Sequence, residues 1–164
     1  MQVAPHLNKF HIRLALLSDL PAICAIEDNS FPTPYPTSLL ERLLEDCFES
    51  FFVATDEVGK LVGYCVCSLS RESAHLISIA VQTDYRRRRV ATTLLHRAIE
   101  FLIEQSIVEL QLEVNLKNVD AVSLYSKLGF EIIEVLKGYY SDGSDAIRMR
   151  LTMRESPNPV NGGS

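Results

Sequence analysis

Four consecutive arginines, Arg86–Arg89, stand between an apolar run, residues 75–81 (HLISIAV), and the amphipathic stretch 92–102 (TTLLHRAIEFL). A strand that turns through a basic loop into a helix sets the first helical N–H groups and the positive end of the helix dipole beside those guanidinium groups. Phosphate is the ligand that such an arrangement favours, and a patch this compact suits a phosphate-bearing cofactor better than a long polyanion. Taken alone, a charge run is also read as a solvated basic turn or a nucleic-acid patch. The formal charge of the chain is −5, which argues against a general nucleic-acid binder, and direct nucleic-acid binding is not expected.

Three further side chains have types suited to proton transfer. Residues 109–115 (ELQLEVN) alternate strictly, with Leu110, Leu112 and Val114 on one face and Glu109, Gln111, Glu113 and Asn115 on the other. The polar face either lines a water-filled cleft or is the solvated side of an edge strand. Glu113 on it is a candidate base, acting directly or through a water, or one member of a surface ion pair. The phenol of Tyr125, with a pKa of about 10, can protonate a departing thiolate whose conjugate acid lies near 8.5, or it is core packing. His75 opens the strand before the arginines, where its titratable imidazole is a proton-transfer candidate or plain polar surface.

His75 and Glu113 together offer too few ligands for a structural zinc. Cys65 and Cys67 alternate on one strand face without a further ligand at metal spacing, so no metal site is expected. With Cys24 and Cys47 they read as free thiols of a reducing cytosol.

The elements that must position these groups follow from pattern. Phe10–Leu16 reads as a first strand, then Ser18-Asp19 as the cap of a helix with Pro21 in its first turn, ending near Ser30. Residues 31–36 (FPTPYP) cannot be helix interior, because three prolines remove donors and fix φ. Ser38-x-x-Glu41 reads as a capping box opening a second helix that carries Leu39, Leu40, Leu43 and Leu44 on one side. Phe51–Thr55 and Leu61–Leu69 form a hairpin around Gly59, followed by a strand over Ala74–Val81 and a helix over Val90–Gln105. Val108–Asn115 is the next strand, and Asn118–Leu128 a helix with Asn118 as its N-cap.

Arg86-x-x-Arg89-Val90-Ala91 resembles the Q/R-x-x-G-x-G/A pyrophosphate loop of the GNAT acyl-CoA N-acyltransferases. Residues 112–130, with Asn118, Ala121, Tyr125 and Gly129-Phe130 in order, resemble the second half of that fold. Residues 136–149 (LKGYYSDGSDAIRM) resemble the C-terminal hairpin of its N-terminal acetyltransferase branch, which includes the bacterial RimI and archaeal enzymes. The resemblance spans roughly residues 10 to 153. It departs at Arg89, where the family has a glycine able to adopt φ > 0, so a slightly reshaped loop is expected.

The resemblance implies an α/β fold with a mixed central sheet of about seven strands, splayed between strands 4 and 5 and flanked by about four helices. It implies acetyl-CoA as cosubstrate and a protein or peptide N-terminus, ribosomal proteins and ribosome association included, as the acceptor side. It assigns Glu113, Tyr125 and His75 to catalysis. Ile79, Ala80 and Val81 would bond the acyl-pantetheine through their backbones, with Val81 as oxyanion donor. Arg86, Arg87, Arg88, Arg89, Val90, Ala91 and Thr92, then Asn118, Tyr125, Ser126 and Lys127, would hold the rest of the cofactor. Tyr35, Ile79, Tyr139 and Tyr140 would line the acceptor groove, with one of the adjacent tyrosines turned away as strand neighbours are. Thr33 replaces the acidic residue of some archaeal relatives.

Two other readings stay open: a GNAT enzyme acting on a small amine or a lysine, and a non-catalytic acyl-CoA-binding regulator. Residues 1–154 are read as one domain and residues 155–164 as a disordered tail, with residues 1–8 also disordered. No run approaches the ~20 apolar residues that span a bilayer, and the N-terminus lacks the apolar core of a secretory signal, so a cytoplasmic protein without membrane contact is expected.

Overall fold

A computed structural model describes residues 9–153; the expected disordered ends, 1–8 and 155–164, lie outside the described residues. Among the described residues seven strands and four α-helices follow in order: β1 (His11–Leu14), α1 (Leu20–Ser30), α2 (Thr37–Asp46), β2 (Phe51–Thr55), β3 (Leu61–Ser70), β4 (Ser73–Val81), α3 (Val90–Glu104), β5 (Glu109–Asn115), α4 (Val119–Lys127), β6 (Glu131–Leu136) and β7 (Ala146–Thr152). Hydrogen bonding orders the sheet β1-β2-β3-β4-β5-β7-β6. It is the mixed α/β sheet expected. The described residues fall into two compact units, the first running to residue 68 and resuming over 77–101, the second taking residues 69–76 and those from 102 onward.

In the first unit, β1, β2 and β3 are antiparallel. Their core gathers Ile23 and Ile26 of α1, Leu40 and Leu44 of α2, and Phe51, Val53, Tyr64 and Val66 of the strands. The helix residues recur at three- and four-residue spacing, the period that places them on one face. Gly63 allows α3 to lie close on β3: a Cβ there would meet the Ala80 carbonyl oxygen and Val90 Cγ1, each at 3.1 Å. That close approach fixes where the first turn of α3 begins.

In the second unit, β4 and β5 are parallel over Ser73–His75 and Glu109–Gln111, at the start of both strands. β5 pairs with β7 along its whole length, and β7 with β6. Leu110, Leu112 and Val114 are buried, and the four polar residues of β5 alternate with them. Gly129 ends α4 at φ +100°, and the N–H of Phe130 returns to the carbonyl of Tyr125 at 3.0 Å. This is a Schellman ending, for which glycine is the preferred residue.

Two helix starts differ from expectation. Asp19 stands at the N-cap position of α1, as expected, but its side chain makes no capping bond to the helix: the carboxylate takes the Arg13 guanidinium at 2.7 and 2.9 Å and the Leu16 N–H at 2.7 Å. A two-point, charge-assisted pair outweighs a single capping bond. Nor does Ser38 open α2, which begins at Thr37. Pro36, at φ −65° and ψ 153°, is the cap residue, and its carbonyl accepts from Leu39 and Leu40 at 3.0 and 3.2 Å.

Candidate active site

In the first unit β4 ends at Val81, and the basic turn leads into α3. All four arginines are exposed, but they are engaged differently. Arg86 Nε donates to the Val81 carbonyl at 3.2 Å, and the Arg88 guanidinium lies 5.2 Å from the centre of the Tyr85 ring. Arg87 and Arg89 take left-handed backbone conformations, φ +62° and +65°. Arg89 thus adopts the positive φ for which the family uses glycine. An arginine carries this conformation at a steric cost that glycine would not.

The Arg89 carbonyl accepts from Thr93 N–H at 3.0 Å and Thr93 O–H at 2.7 Å, which closes the first turn of α3. In a helix begun this way the N–H groups of Val90, Ala91 and Thr92 have no carbonyl partner within the helix. Together with the guanidinium groups they form a donor set that fits a pyrophosphate. Ile79 is part-buried, whereas the side chains of Ala80 and Val81 are buried, consistent with a role carried by their backbones.

Tyr35 is part-buried against the core of the same unit, and its backbone N–H donates to Glu27 Oε1 at 3.0 Å. Thr33, in the same loop, is exposed.

In the second unit Glu113 is the centre of a polar network. Its Oε2 is hydrogen-bonded to His75 Nε2, and its Oε1 accepts from Arg148 Nε at 3.1 Å. Arg148 also reaches Glu134 at 2.5 Å. The Glu113 side chain is 13% exposed and that of His75 46%, so the imidazole is the solvent-facing member. The paired carboxylates hold the Arg148 guanidinium above its ordinary pKa, the bond from Glu113 being the largest cause. The structure therefore brings His75 and Glu113 together and adds Arg148, which sequence reasoning missed. The alternation of Ile147, Met149 and Leu151 was an available signal for a polar face at Arg148, but its partner follows only from the β5–β7 register, in which Glu113 lies opposite Arg148.

Tyr125 is buried on α4, its ring edge-on to Phe130 at 5.6 Å. That contact is the apolar pair that accompanies a Schellman ending, so the ring has a packing role whatever its hydroxyl does. Asn118 is the N-cap of α4, its Oδ1 accepting from Ala121 N–H at 3.2 Å. Ser126 and Lys127 are exposed in the last turn.

The adjacent tyrosines differ from expectation. Tyr139 and Tyr140 lie between β6 and β7 rather than on a strand, and their rings pack edge to face, 5.0 Å apart. Strand alternation does not apply because Asp145 ties off the turn, accepting from Gly138 N–H at 2.9 Å and Lys137 Nζ at 3.1 Å.

All four cysteines are free; burial holds the Cys65 thiol well above its ordinary pKa and pushes Cys67 up to about 12. Among the described residues no three His, Cys, Asp or Glu side chains are grouped to hold a metal ion.

The acetyltransferase (GNAT) family model matches residues 20–130. The chain belongs to the GNAT family. This GNAT chain is 36% identical over 154 residues to an N-alpha-acetyltransferase of Saccharolobus solfataricus, covering 85% of this chain and 91% of the relative. It is 31% identical over 137 residues to the [ribosomal protein bS18]-alanine N-acetyltransferase of Escherichia coli K12, covering 82% and 91%. The solved structure of Ard1 from Thermoplasma volcanium superposes with a TM-score of 0.85 at 33% identity, over 89% of this chain and 99% of that one. The chain is an acetyl-transferring enzyme, and acetyl-CoA is its acyl donor.

Proposed function

We propose that this enzyme acetylates the α-amine of protein N-termini by direct attack in a ternary complex. The observation that carries the acceptor assignment is the pair of relatives, one archaeal and one bacterial. The first is named for N-alpha-acetylation and the second for acetylating an alanine of ribosomal protein bS18. Ribosomal proteins are accordingly the acceptor class to try first, and ribosome association and a cytoplasmic location belong to the same reading. Among the described residues no helix is long and apolar enough to cross a membrane.

Acetyl-CoA supplies an activated acyl group and a thiolate leaving group. The exposed donors at the start of α3, Val90 to Thr92, with the arginines before them, hold its pyrophosphate. Ile79, Ala80 and Val81 present backbone groups to its acyl arm, and the Val81 N–H donates to the acyl oxygen as charge develops there. On α4 the same reading gives Asn118, Ser126 and Lys127 to the cofactor as the positions that match the family pattern.

An α-amine has a pKa of about 7.7–8.0, so roughly a tenth is neutral at pH 7, against far less for lysine at about 10.4. A modest base suffices. The His75–Glu113 pair fills that role, with Arg148 fixing the carboxylate so that the exposed imidazole or a water on it takes the amine proton. Tyr125 returns a proton to the departing thiolate. Burial holds Cys65 and Cys67 as thiols and raises Cys47, so they are poor acyl carriers, which favours direct transfer.

Tyr35 and Ile79 of the first unit, and separately Tyr139 and Tyr140 of the second, are the residues proposed to contact an extended peptide end. Peptides with free N-termini are expected to be acetylated and N-blocked, lysine-containing peptides to be much poorer, as read by mass and released thiol. Equal rates on the two would remove the N-terminal assignment.

A further inference from the structure

Glu27 is 2% exposed in the first unit, yet no step of the acetyl transfer uses it. It lies on the buried face of α1, four residues after Ile23, inside an apolar cluster. Burying a carboxylate is unfavourable unless its oxygens are hydrogen-bonded, and apolar residues often replace such groups without loss of stability. Its bonds show what it holds. Oε1 accepts the Tyr35 N–H at 3.0 Å, and Oε2 accepts the Tyr64 hydroxyl of β3. Ser78 Oγ of β4 lies 3.1 Å from that hydroxyl and 3.5 Å from Oε2.

The loop between α1 and α2 explains the need. Three of its six residues, Pro32, Pro34 and Pro36, have no N–H, so only Phe31, Thr33 and Tyr35 can donate. Glu27 takes two of these three: its carbonyl accepts from Phe31 at 3.2 Å and its carboxylate from Tyr35. A loop so poor in donors is fastened at both ends by one residue, whose carboxylate is anchored on β3 beside Ser78, the residue before Ile79. Burial and the Glu27 carboxylate both keep the Tyr64 phenol protonated, as a donor.

We propose that Glu27 is a positioning residue for the acceptor: it seats Tyr35 through the buried Tyr64–Ser78 anchor, so acceptor binding depends on a carboxylate that does not touch the acceptor. The proposal rests on the reading that Tyr35 lines the acceptor site.

The test uses Glu27→Leu, Glu27→Gln and Glu27→Asp in the full chain. It reads acceptor KM and kcat, acetyl-CoA Kd by titration, and hydrogen exchange at the Tyr35 amide. Glutamine keeps Oε1 for Tyr35, and its amide can donate to Tyr64 while Tyr64 donates to Ser78. Leucine removes the tether, and a loop displaced by even an ångström is expected to raise acceptor KM about tenfold or more. Acetyl-CoA Kd should stay within about twofold, Tyr35 exchange should quicken, and Glu27→Gln should restore KM. Should Glu27→Leu not fold, Glu27→Asp withdraws the carboxylate by one methylene and should show the same KM rise.

An unchanged acceptor KM beside faster Tyr35 exchange would overturn the proposal. So would a parallel loss of acetyl-CoA affinity, which marks a general packing role. The acceptor panel includes lysine peptides and small amines. If the wild type uses those, the N-terminal reading falls, and the response of their KM to Glu27→Leu still decides the role of Glu27.

Discussion

Arg89 is held at φ +65° while its carbonyl closes the first turn of α3. A non-glycine residue in that region carries about 1–2 kcal/mol of steric strain. Replacing it with glycine relieves the strain but loosens the unfolded chain, which returns about 0.4–1 kcal/mol. The bonds to Thr93 use the Arg89 carbonyl, so they survive the substitution. Arg89→Gly should therefore be about 0.5–1 kcal/mol more stable, a Tm rise of about 1–4 °C for a chain of this size.

Binding should respond differently. The arginine side chain is exposed, and screening shortens the reach of its charge from about 8 Å at physiological salt to about 3 Å at 1 M. Wild-type acetyl-CoA affinity should fall more steeply with salt than that of Arg89→Gly. At low salt the glycine variant should bind comparably or slightly better, because phosphate can approach its backbone more closely. Thermal melts and calorimetric titration with acetyl-CoA at low and high salt measure both effects. A lower Tm would show that the side chain makes contacts worth more than the strain. Parallel salt slopes would show that it points away from the phosphates.

Glu113→Gln should lower kcat by about 10²-fold or more at neutral pH, or about 2.7 kcal/mol, with the deficit shrinking above the amine pKa. Its stability should change by no more than about 1 kcal/mol, since Arg148 keeps Glu134; unchanged turnover would leave Glu113 a structural ion pair. Tyr125→Phe keeps the ring against Phe130 and should cut turnover more than it raises KM; lost stability with normal kcat would make the residue packing alone. Arg13 holds the Asp19 carboxyl below its ordinary pKa, chiefly through their hydrogen bonds. The stability this gives is present above the unfolded-state value of about 4 and lost as pH falls through the lower folded value. Arg13→Met should thus cost up to about 1 kcal/mol in denaturant melts at pH 7 and much less in strong acid; an equal cost at both would mean packing rather than charge.

What local pattern controls was legible. The alternation of β5 appears as Leu110, Leu112 and Val114 buried, and Asn118 caps α4 as its type and place suggested. What depended on a distant partner was not. Asp19 has the chemistry of a cap, but Arg13 offered a stronger bond. Ser38-x-x-Glu41 has the spacing of a capping box, yet Pro36 had already set the start of α2. Tyr139 and Tyr140 read as strand neighbours until the Asp145 turn removed them from the strand. Arg148 and Glu27 were missed for one reason: a charged residue on a strand or helix looks like surface until its partners are known. For Glu27 a signal was available, since its spacing from Ile23 placed it on the apolar face of α1.

The two kinds of binding group are built by different physics. The proposed phosphate donors are backbone N–H groups of a helix start, which any side chain leaves in place, and Arg89 in the family's glycine position is an instance. The residues proposed as acceptor walls hang on other side chains: Tyr35 on Glu27, and the Tyr139–Tyr140 turn on Asp145 and on a relay in which Asn115 donates to Ser144 at 2.9 Å and Ser144 to Asp142. One substitution can release either wall while the helix start stays intact. Acceptor choice should therefore drift among related sequences more readily than use of acetyl-CoA, and it should drift by exchange of tethers as well as of the tyrosines themselves. Asn115→Ala, which removes the donor to Ser144 without touching Tyr139 or Tyr140, separates the two routes. A shift in acceptor preference at constant acetyl-CoA affinity supports drift through tethers, and an unchanged preference restricts it to the walls.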